Sequence, residues 1–313
     1  MIKKKILVTG GAGFVGSNLC EELLKTNCHI TCLDNLSTGK LKNISKFMNH
    51  DKFEFINHDI IFKLQTKLHF DEIYNLACPA SPPSYQKDPV QTLKTCTIGS
   101  INMLELALKC NSKILQASTS EIYGDPLEHP QKENYWGNVN TVGLRSCYDE
   151  GKRCAETLFM DYNRKYDLDT KIVRIFNTYG PNMDKNDGRV VSNFINQAIN
   201  SEDLTVYGDG TQTRSFMYVS DLIDGIIKSM ESKNSYPVNL GNPKEISMNE
   251  LANIILNFTN SNSKKIFKEL PSDDPKRRKP NIELATKILN WKPQVGFDEG
   301  IKKTIDYYKS IND

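Results

Sequence analysis

No stretch of this 313-residue chain approaches the roughly 18 consecutive apolar residues of a membrane helix, so no membrane-spanning helix is expected. Neither sign of charge is in excess: 40 Lys and Arg face 38 Asp and Glu, a formal net charge of +2, with the signs interspersed. Nucleic acid and anionic membrane surfaces are therefore not expected partners. The five histidines (His29, His50, His58, His69 and His129) form no H-x-x-x-H pair and no cluster with cysteine, so no metal site is expected. Eight cysteines are present, but no C-x-x-C spacing occurs, and free buried thiols are the expectation for a chain of this length. Internal repeats and low-complexity linkers are also missing. The single basic run, Lys3-Lys4-Lys5, leads straight into Ile6-Leu7-Val8. That pattern suits a solubilising strand edge better than a targeting signal. A soluble, cytoplasmic protein whose fold begins at its first residues is the expectation.

What is present is a rhythm. Short apolar runs (Ile6–Val8, His29–Leu33, Phe53–Ile56, Ile73–Leu76, Lys113–Ala117, Lys171–Ile175) alternate with helix-like stretches at Phe14–Lys25, Val90–Lys109 and Cys147–Lys165. The last places apolar or small residues near 147, 151, 154, 155, 158 and 159, one stripe at helical spacing. Strands that alternate with helices imply a parallel sheet. The fold expected is α/β: a Rossmann-type doubly wound parallel sheet over residues 1–176, with 213–240 returning to it. Beyond 176, Gly180-Pro181, Gly208-Asp209-Gly210 and Gly241-Asn242-Pro243 punctuate a stretch with few strong strand runs. Residues 177–313 are expected to form mainly a smaller C-terminal α/β substrate lobe that closes over the carboxyl edge of the sheet, where such folds bind ligands.

Thr9-Gly10-Gly11-Ala12-Gly13-Phe14-Val15-Gly16 follows a strand and opens a helix. Glycines there permit a tight turn and close approach of a pyrophosphate, whose charge the helix N-terminus stabilises. Asp34 ends the next strand, eighteen residues after Gly16, where a carboxylate accepts both ribose hydroxyls and repels a 2′-phosphate. Asn35 follows instead of a basic residue, so NAD is expected over NADP.

Tyr148 and Lys152 stand four apart and project from one helix face. An adjacent ammonium and a positive nicotinamide both favour the phenolate, which then serves as base toward a sugar hydroxyl while Thr119 hydrogen-bonds the same oxygen.

The glycine loop, Asp34 to Gly39, Thr119 to Pro126 and Tyr148 to Arg153 together resemble the extended short-chain dehydrogenase/reductase family over almost the whole chain, Lys5 to Tyr307. Narrower markers resemble its UDP-glucuronate decarboxylase branch: Leu76 to Pro82, Tyr135 to Asn140, Arg145 to Tyr148, Asp187 to Phe194 and Asp273 to Pro280. The resemblance implies that UDP-glucuronate loses carbon dioxide to become UDP-xylose through a 4-keto intermediate, with NAD reduced and reoxidised in each cycle. It implies a catalytic set of Thr119, Ser120, Glu121, Tyr148, Lys152 and Arg278. Glu121 would face the substrate carboxylate, and Arg278 would position the substrate. Cofactor contacts would come from Gly10, Gly13, Phe14, Val15, Gly16, Asp34, Asn35, Thr38, Gly39 and Asp59 with Tyr148 and Lys152. The UDP-sugar would be held by Asn177, Arg189, Asn193, Tyr207, Arg214 and Arg278. A homodimer through a four-helix bundle of Val90–Lys109 and Cys147–Lys165 is implied as well.

Sibling activities are separated by the strand-end motif. A 4,6-dehydratase carries Asp where this chain has Ser120, and epimerases lack the glutamate present here as Glu121. Three alternatives stay open: such a dehydratase, a decarboxylase that releases the 4-keto pentose, and a non-catalytic NAD-binding protein. The chain departs from the branch at Cys96, where asparagine is usual, at Asn75, where histidine is usual, and at Thr141 and Leu144, where prolines are usual. These departures imply a looser central helix and a more mobile substrate loop.

Overall fold

A computed structural model describes residues 4–269 and 277–311; Lys3 and the segment Asp273 to Lys276 of the last branch marker lie outside it. Seven strands form the central sheet: β1 (Lys4–Thr9), β2 (Cys28–Asp34), β3 (Phe53–Asn57), β4 (Glu72–Asn75), β5 (Lys113–Thr119), β6 (Thr170–Ile175) and β7 (Val238–Leu240). Their spatial order is β7-β6-β5-β4-β1-β2-β3, and every pairing is parallel. This is the doubly wound α/β arrangement expected, and β7 adds a seventh strand from beyond residue 176. Strands β2 and β3 are added on one side of β1 and β4, β5 and β6 on the other, so the β1/β4 pair, with register Thr9↔Asn75, marks the switch point at which such sheets open a crevice.

The strands read as near-continuous apolar runs because both faces are covered. Along β1, Ile6 and Val8 enter a core that also contains Phe194, Leu222, Trp291 and Ile305, while Leu7 points to the opposite face with Leu104, Phe159 and Ile172. Helix α1 (Phe14–Leu24) buries Gly16, Ser17, Leu19, Cys20 and Leu23 against the first of these cores, a stripe at 3.6-residue spacing.

The helix expected over Val90–Lys109 is interrupted. It consists of α2 (Pro89–Lys94), a π-helical segment at Thr95–Gly99 and α3 (Ser100–Cys110). The extra backbone residue of a π segment is invisible to a hydrophobic count, and this segment includes Cys96. Helix α4 (Ser146–Tyr166) also differs in its stripe. Tyr148, Asp149, Gly151, Lys152, Ala155, Glu156 and Phe159 are buried, whereas Cys154 is exposed. Polar groups are tolerated inside because they are paired: Lys152 Nζ donates to the Ala117 carbonyl at 2.8 Å, and Arg174 Nη2 donates to Glu156 at 2.8 Å.

Past residue 176 there are more strands than expected, all short. Leu204–Tyr207 pairs in parallel with Lys265–Lys268, and Thr213–Ser215 pairs antiparallel with Glu245–Ser247. Runs of three or four residues carry too little periodicity to be read from sequence. An isolated bridge joins Arg214 to Arg278 within this region, and another joins Pro280 to Gln131 in the stretch that follows β5.

Candidate active site

One cavity of about 1540 Å³ opens along that edge. It exceeds the roughly 300–1,000 Å³ usual for one drug-sized ligand. All of the expected cofactor, catalytic and substrate positions line it, from Gly10 in the glycine loop to Arg278 in the C-terminal region. Convergence at one wall follows from the parallel sheet, since Thr9, Asp34, Asn75 and Thr119 all end their strands on the same side.

The glycine loop leaves no room for side chains. A Cβ at Gly10 would stand 2.9 Å from Ala77 Cα, and one at Gly16 would stand 2.1 Å from the Gly10 carbonyl oxygen; Gly10 also takes φ +66°. The space thus kept free, at the start of α1, suits a pyrophosphate. Asp34 is buried and accepts backbone N–H groups from Ala12 (3.0 Å) and Leu36 (2.8 Å), one on each carboxylate oxygen. Burial raises its pKa, and those two bonds oppose the rise. Each oxygen keeps a second lone pair for a ribose hydroxyl. Gly39 is packed on this carboxylate, 2.7 Å from Oδ1 to the position a Cβ would take. Asp59 accepts from Asn35 Nδ2 at 2.9 Å, which joins two of the expected cofactor contacts. These residues fit a dinucleotide with unphosphorylated ribose.

The strand read as Lys113–Ala117 runs two residues further, so Thr119 is the last residue of β5, and its hydroxyl caps the following turn by accepting from Glu121 N at 3.2 Å. Tyr148 is buried beside it. Burial pushes its phenol well above the usual value, the charges of Cys78 and Glu121 add to the rise, and the Thr119 hydroxyl partly offsets it. Lys152 Nζ lies 5.7 Å from the Tyr148 ring centroid, engaged with the Ala117 carbonyl. Burial therefore holds the phenol protonated more strongly than the Tyr148/Lys152 spacing implies.

The largest departure concerns Glu121. Arg278 Nη1 bonds one carboxylate oxygen and Arg145 Nη2 bonds the other. Burial would raise this carboxyl; the two guanidiniums more than compensate and hold it down at about 2. Glu121 is thus a neutralised partner, not an open negative charge. Arg278 is 4% exposed, and its Nε and Nη2 have no partner among the described residues, which leaves donors for an anionic group in the cavity. Asp149, next to Tyr148, is pushed up to about 7 by burial first and Glu121 second, against Arg145 and Arg278.

Around the opposite wall, Arg189 is anchored by Asp187 (Nη2, 2.9 Å), Asn193 Nδ2 donates to the Gly188 carbonyl (3.0 Å), and Asn177, Tyr207 and Arg214 complete the lining. Ser120 is buried at the start of the 3₁₀ turn. Of the departures, Asn75 is fully satisfied, accepting from Thr9 Oγ1 (2.8 Å) and donating to Gln116 Oε1 (2.7 Å).

Two residues were missed as site members. Arg145 lies inside the Arg145-Ser146-Cys147-Tyr148 marker, three residues before Tyr148, and that spacing was the available signal. Tyr85 stacks on Tyr148 with centroids 5.0 Å apart and planes 6° apart. Nothing in the local sequence predicts that contact, which spans 63 residues of chain.

The fold and this wall of residues define an NAD-using enzyme of the epimerase/dehydratase class, and the chain belongs to the NAD dependent epimerase/dehydratase family, whose model matches residues 6–241. Its relatives are narrower in kind. It is 51% identical to UDP-glucuronic acid decarboxylase 1 of Xenopus tropicalis over 98% of this chain and 72% of that protein. It is likewise 51% identical to UDP-glucuronic acid decarboxylase 4 of Arabidopsis thaliana over 96% of this chain and 68% of that one. Among solved structures it is similar to a UDP-glucose 4-epimerase of Thermotoga maritima with UDP-glucose, with TM-score 0.92, 27% identity and coverage of 99% and 100%. A UDP-glucuronic acid 4-epimerase of Bacillus cereus in complex with UDP-glucuronic acid and NAD gives TM-score 0.88, 28% identity and coverage of 98% and 99%. The resemblance read from the motifs, to the extended short-chain dehydrogenases and their decarboxylase branch, stands.

Proposed function

We propose that this chain converts UDP-glucuronate to UDP-xylose and carbon dioxide, with NAD as a cofactor that is restored in each turnover. The observation that carries the reading is the state of the Thr119-Ser120-Glu121 turn. Its carboxylate is ionised and held by two arginines, so it is no acid for a leaving C6 hydroxyl, and Ser120 stands where a dehydratase carries Asp. Decarboxylation asks for neither. NAD, when bound, accepts a hydride from the sugar and returns it.

The residues supply the rest. Tyr148 Oη takes the proton of the sugar C4 hydroxyl, with Thr119 donating to the same oxygen and Lys152 adding the positive charge that opposes burial of the phenolate. Once C4 is a ketone, the bond from C5 to the carboxylate breaks, carbon dioxide leaves, and the electron pair moves to the C4 oxygen, where Tyr148 and Thr119 stabilise it. Water protonates C5. Arg278 positions the sugar through its spare N–H groups and stays paired to Glu121, which tempers ground-state binding of the carboxylate that must leave. Arg189, Arg214, Asn177, Asn193 and Tyr207 hold the UDP part, the guanidiniums matching phosphate geometry.

The exposed Val90, Leu93 and Ile98 on and beside α2, with Cys154 exposed on α4, support a homodimer through these helices. Eight free cysteines suit a reducing, cytoplasmic setting. Incubation with UDP-glucuronate and NAD, followed by proton NMR, tests the activity. UDP-xylose as the main product is expected; accumulation of the free 4-keto pentose, or no consumption, refutes it.

A further inference from the structure

We propose that Cys78 and Cys96 form a redox-active dithiol in the wall of the active-site cavity, which peroxide closes to an intramolecular disulfide. Cys78 is partly exposed, lies on the loop after β4 and lines the cavity. Cys96 is 2% exposed, within the π segment between α2 and α3. Their sulfurs are in contact at 3.2 Å. A disulfide needs about 2.05 Å, so closure asks for an approach of roughly 1.2 Å, within reach of a side-chain rotation and a small shift of the loop.

The positions of the two sulfurs assign the roles: Cys78 is reached from the cavity, and Cys96 is buried behind it. The contact with Cys96 and the Lys152 ammonium lower Cys78, against desolvation. Cys96 is raised, first by that same contact and then by burial. A sulfur open to the cavity with a second, buried sulfur in contact is the arrangement of an attacking and a resolving cysteine. The Cys78 thiolate attacks one peroxide oxygen, the O–O bond breaks, and a sulfenic acid and hydroxide result. The Cys96 sulfur then attacks the sulfenic sulfur, and its proton leaves with the hydroxyl as water. Two thiols have lost two electrons in all, and peroxide has gained them. The Cys147 Sγ is in contact with the Tyr85 carbonyl instead, at 3.7 Å.

Closure reaches the cofactor side. Ala77, next to Cys78, packs directly on Gly10, and Cys96 packs on Gly151, one residue before Lys152. Pulling the sulfurs together shifts a loop that the glycine turn and α4 both lean on. Because binding and oxidation are linked, a disulfide that weakens NAD binding about tenfold must be opposed by bound NAD by the same factor.

The test uses the full chain with hydrogen peroxide, with and without saturating NAD. Non-reducing peptide mapping by mass spectrometry is expected to show a Cys78–Cys96 link, and in a dithiothreitol redox buffer saturating NAD is expected to shift the equilibrium about tenfold toward the dithiol. NAD affinity, read by fluorescence, is expected to fall about tenfold and to return with dithiothreitol. A Cys96→Ser variant is expected to bind NAD normally, form no link and carry Cys78 on to the sulfinic acid. The proposal is overturned if the wild type gives only sulfinic Cys78, if Cys78 links to Cys147, or if Cys96→Ser loses NAD affinity reversibly at the wild-type rate. None of these readouts depends on the sugar nucleotide used, so they fail or succeed apart from the proposed activity.

Discussion

Arg278 and Glu121 are 157 residues apart in the chain, yet the guanidinium of one bonds the carboxylate of the other at the cavity wall. Arg145 occupies the second carboxylate oxygen. A charge that would otherwise face the substrate is thereby balanced within the protein. The same contact anchors the C-terminal region to the end of β5.

Replacing Arg278 with alanine removes that anchor and the spare donors together. Turnover of UDP-glucuronate is expected to fall by about a hundredfold or more, with weaker substrate binding, because a charge-assisted contact and the position of the sugar are lost. Steady-state kinetics and nucleotide-sugar titration check this; unchanged values for both would remove Arg278 from the site.

The Glu121 pair has a pH signature. Its folded value of about 2 lies below the usual glutamate value of 4.5, so the carboxylate contributes stability that is present above 4.5 and lost as pH falls toward 2. A Glu121→Gln variant is expected to be less stable at pH 7 by about 3 kcal/mol, as for other broken buried pairs. The gap should narrow as pH falls from 4.5 toward 2. Urea unfolding at a series of pH values measures it, and a gap that stays constant would contradict the pairing.

Tyr148→Phe is expected to keep NAD affinity within about threefold and to lose turnover by about a thousandfold or more, since the proton acceptor is removed without its ring. In the wild type, a phenol raised by burial must ionise before it acts, so kcat/KM is expected to increase with pH across the neutral range. A variant that retains substantial turnover would show that another group takes the proton.

Asp34 is expected to set cofactor choice. The wild type should bind NAD at least about a hundredfold more tightly than NADP, because a 2′-phosphate would meet a buried carboxylate. Isothermal titration with both cofactors decides, and comparable affinities would refute the role.

Much of the site was legible because the glycine loop, Asp34 and Thr119 sit at the ends of strands, and a parallel sheet sends all such ends to one edge. The glycine loop, Asp34, Thr119 and the Tyr148/Lys152 pair needed only local spacing. The arginine pairing of Glu121 was not legible, since Arg145 and Arg278 approach it from two directions that no local pattern encodes. The π segment was missed for another reason: one extra residue leaves the apolar periodicity of the flanking helices intact. Short strands beyond residue 176 carried too few residues to show a period.

By its own residues, then, the chain specifies a dinucleotide turn, a base on a helix and a doubly wound sheet, because these depend on spacings of a few residues and on alternating burial. Tertiary structure alone decided which charges meet. Glu121 became a neutralised partner, Tyr148 a phenol raised by burial, and Cys78 and Cys96 a thiol pair. Each outcome depends on desolvation and on contacts between distant segments, which exist only once the chain is packed.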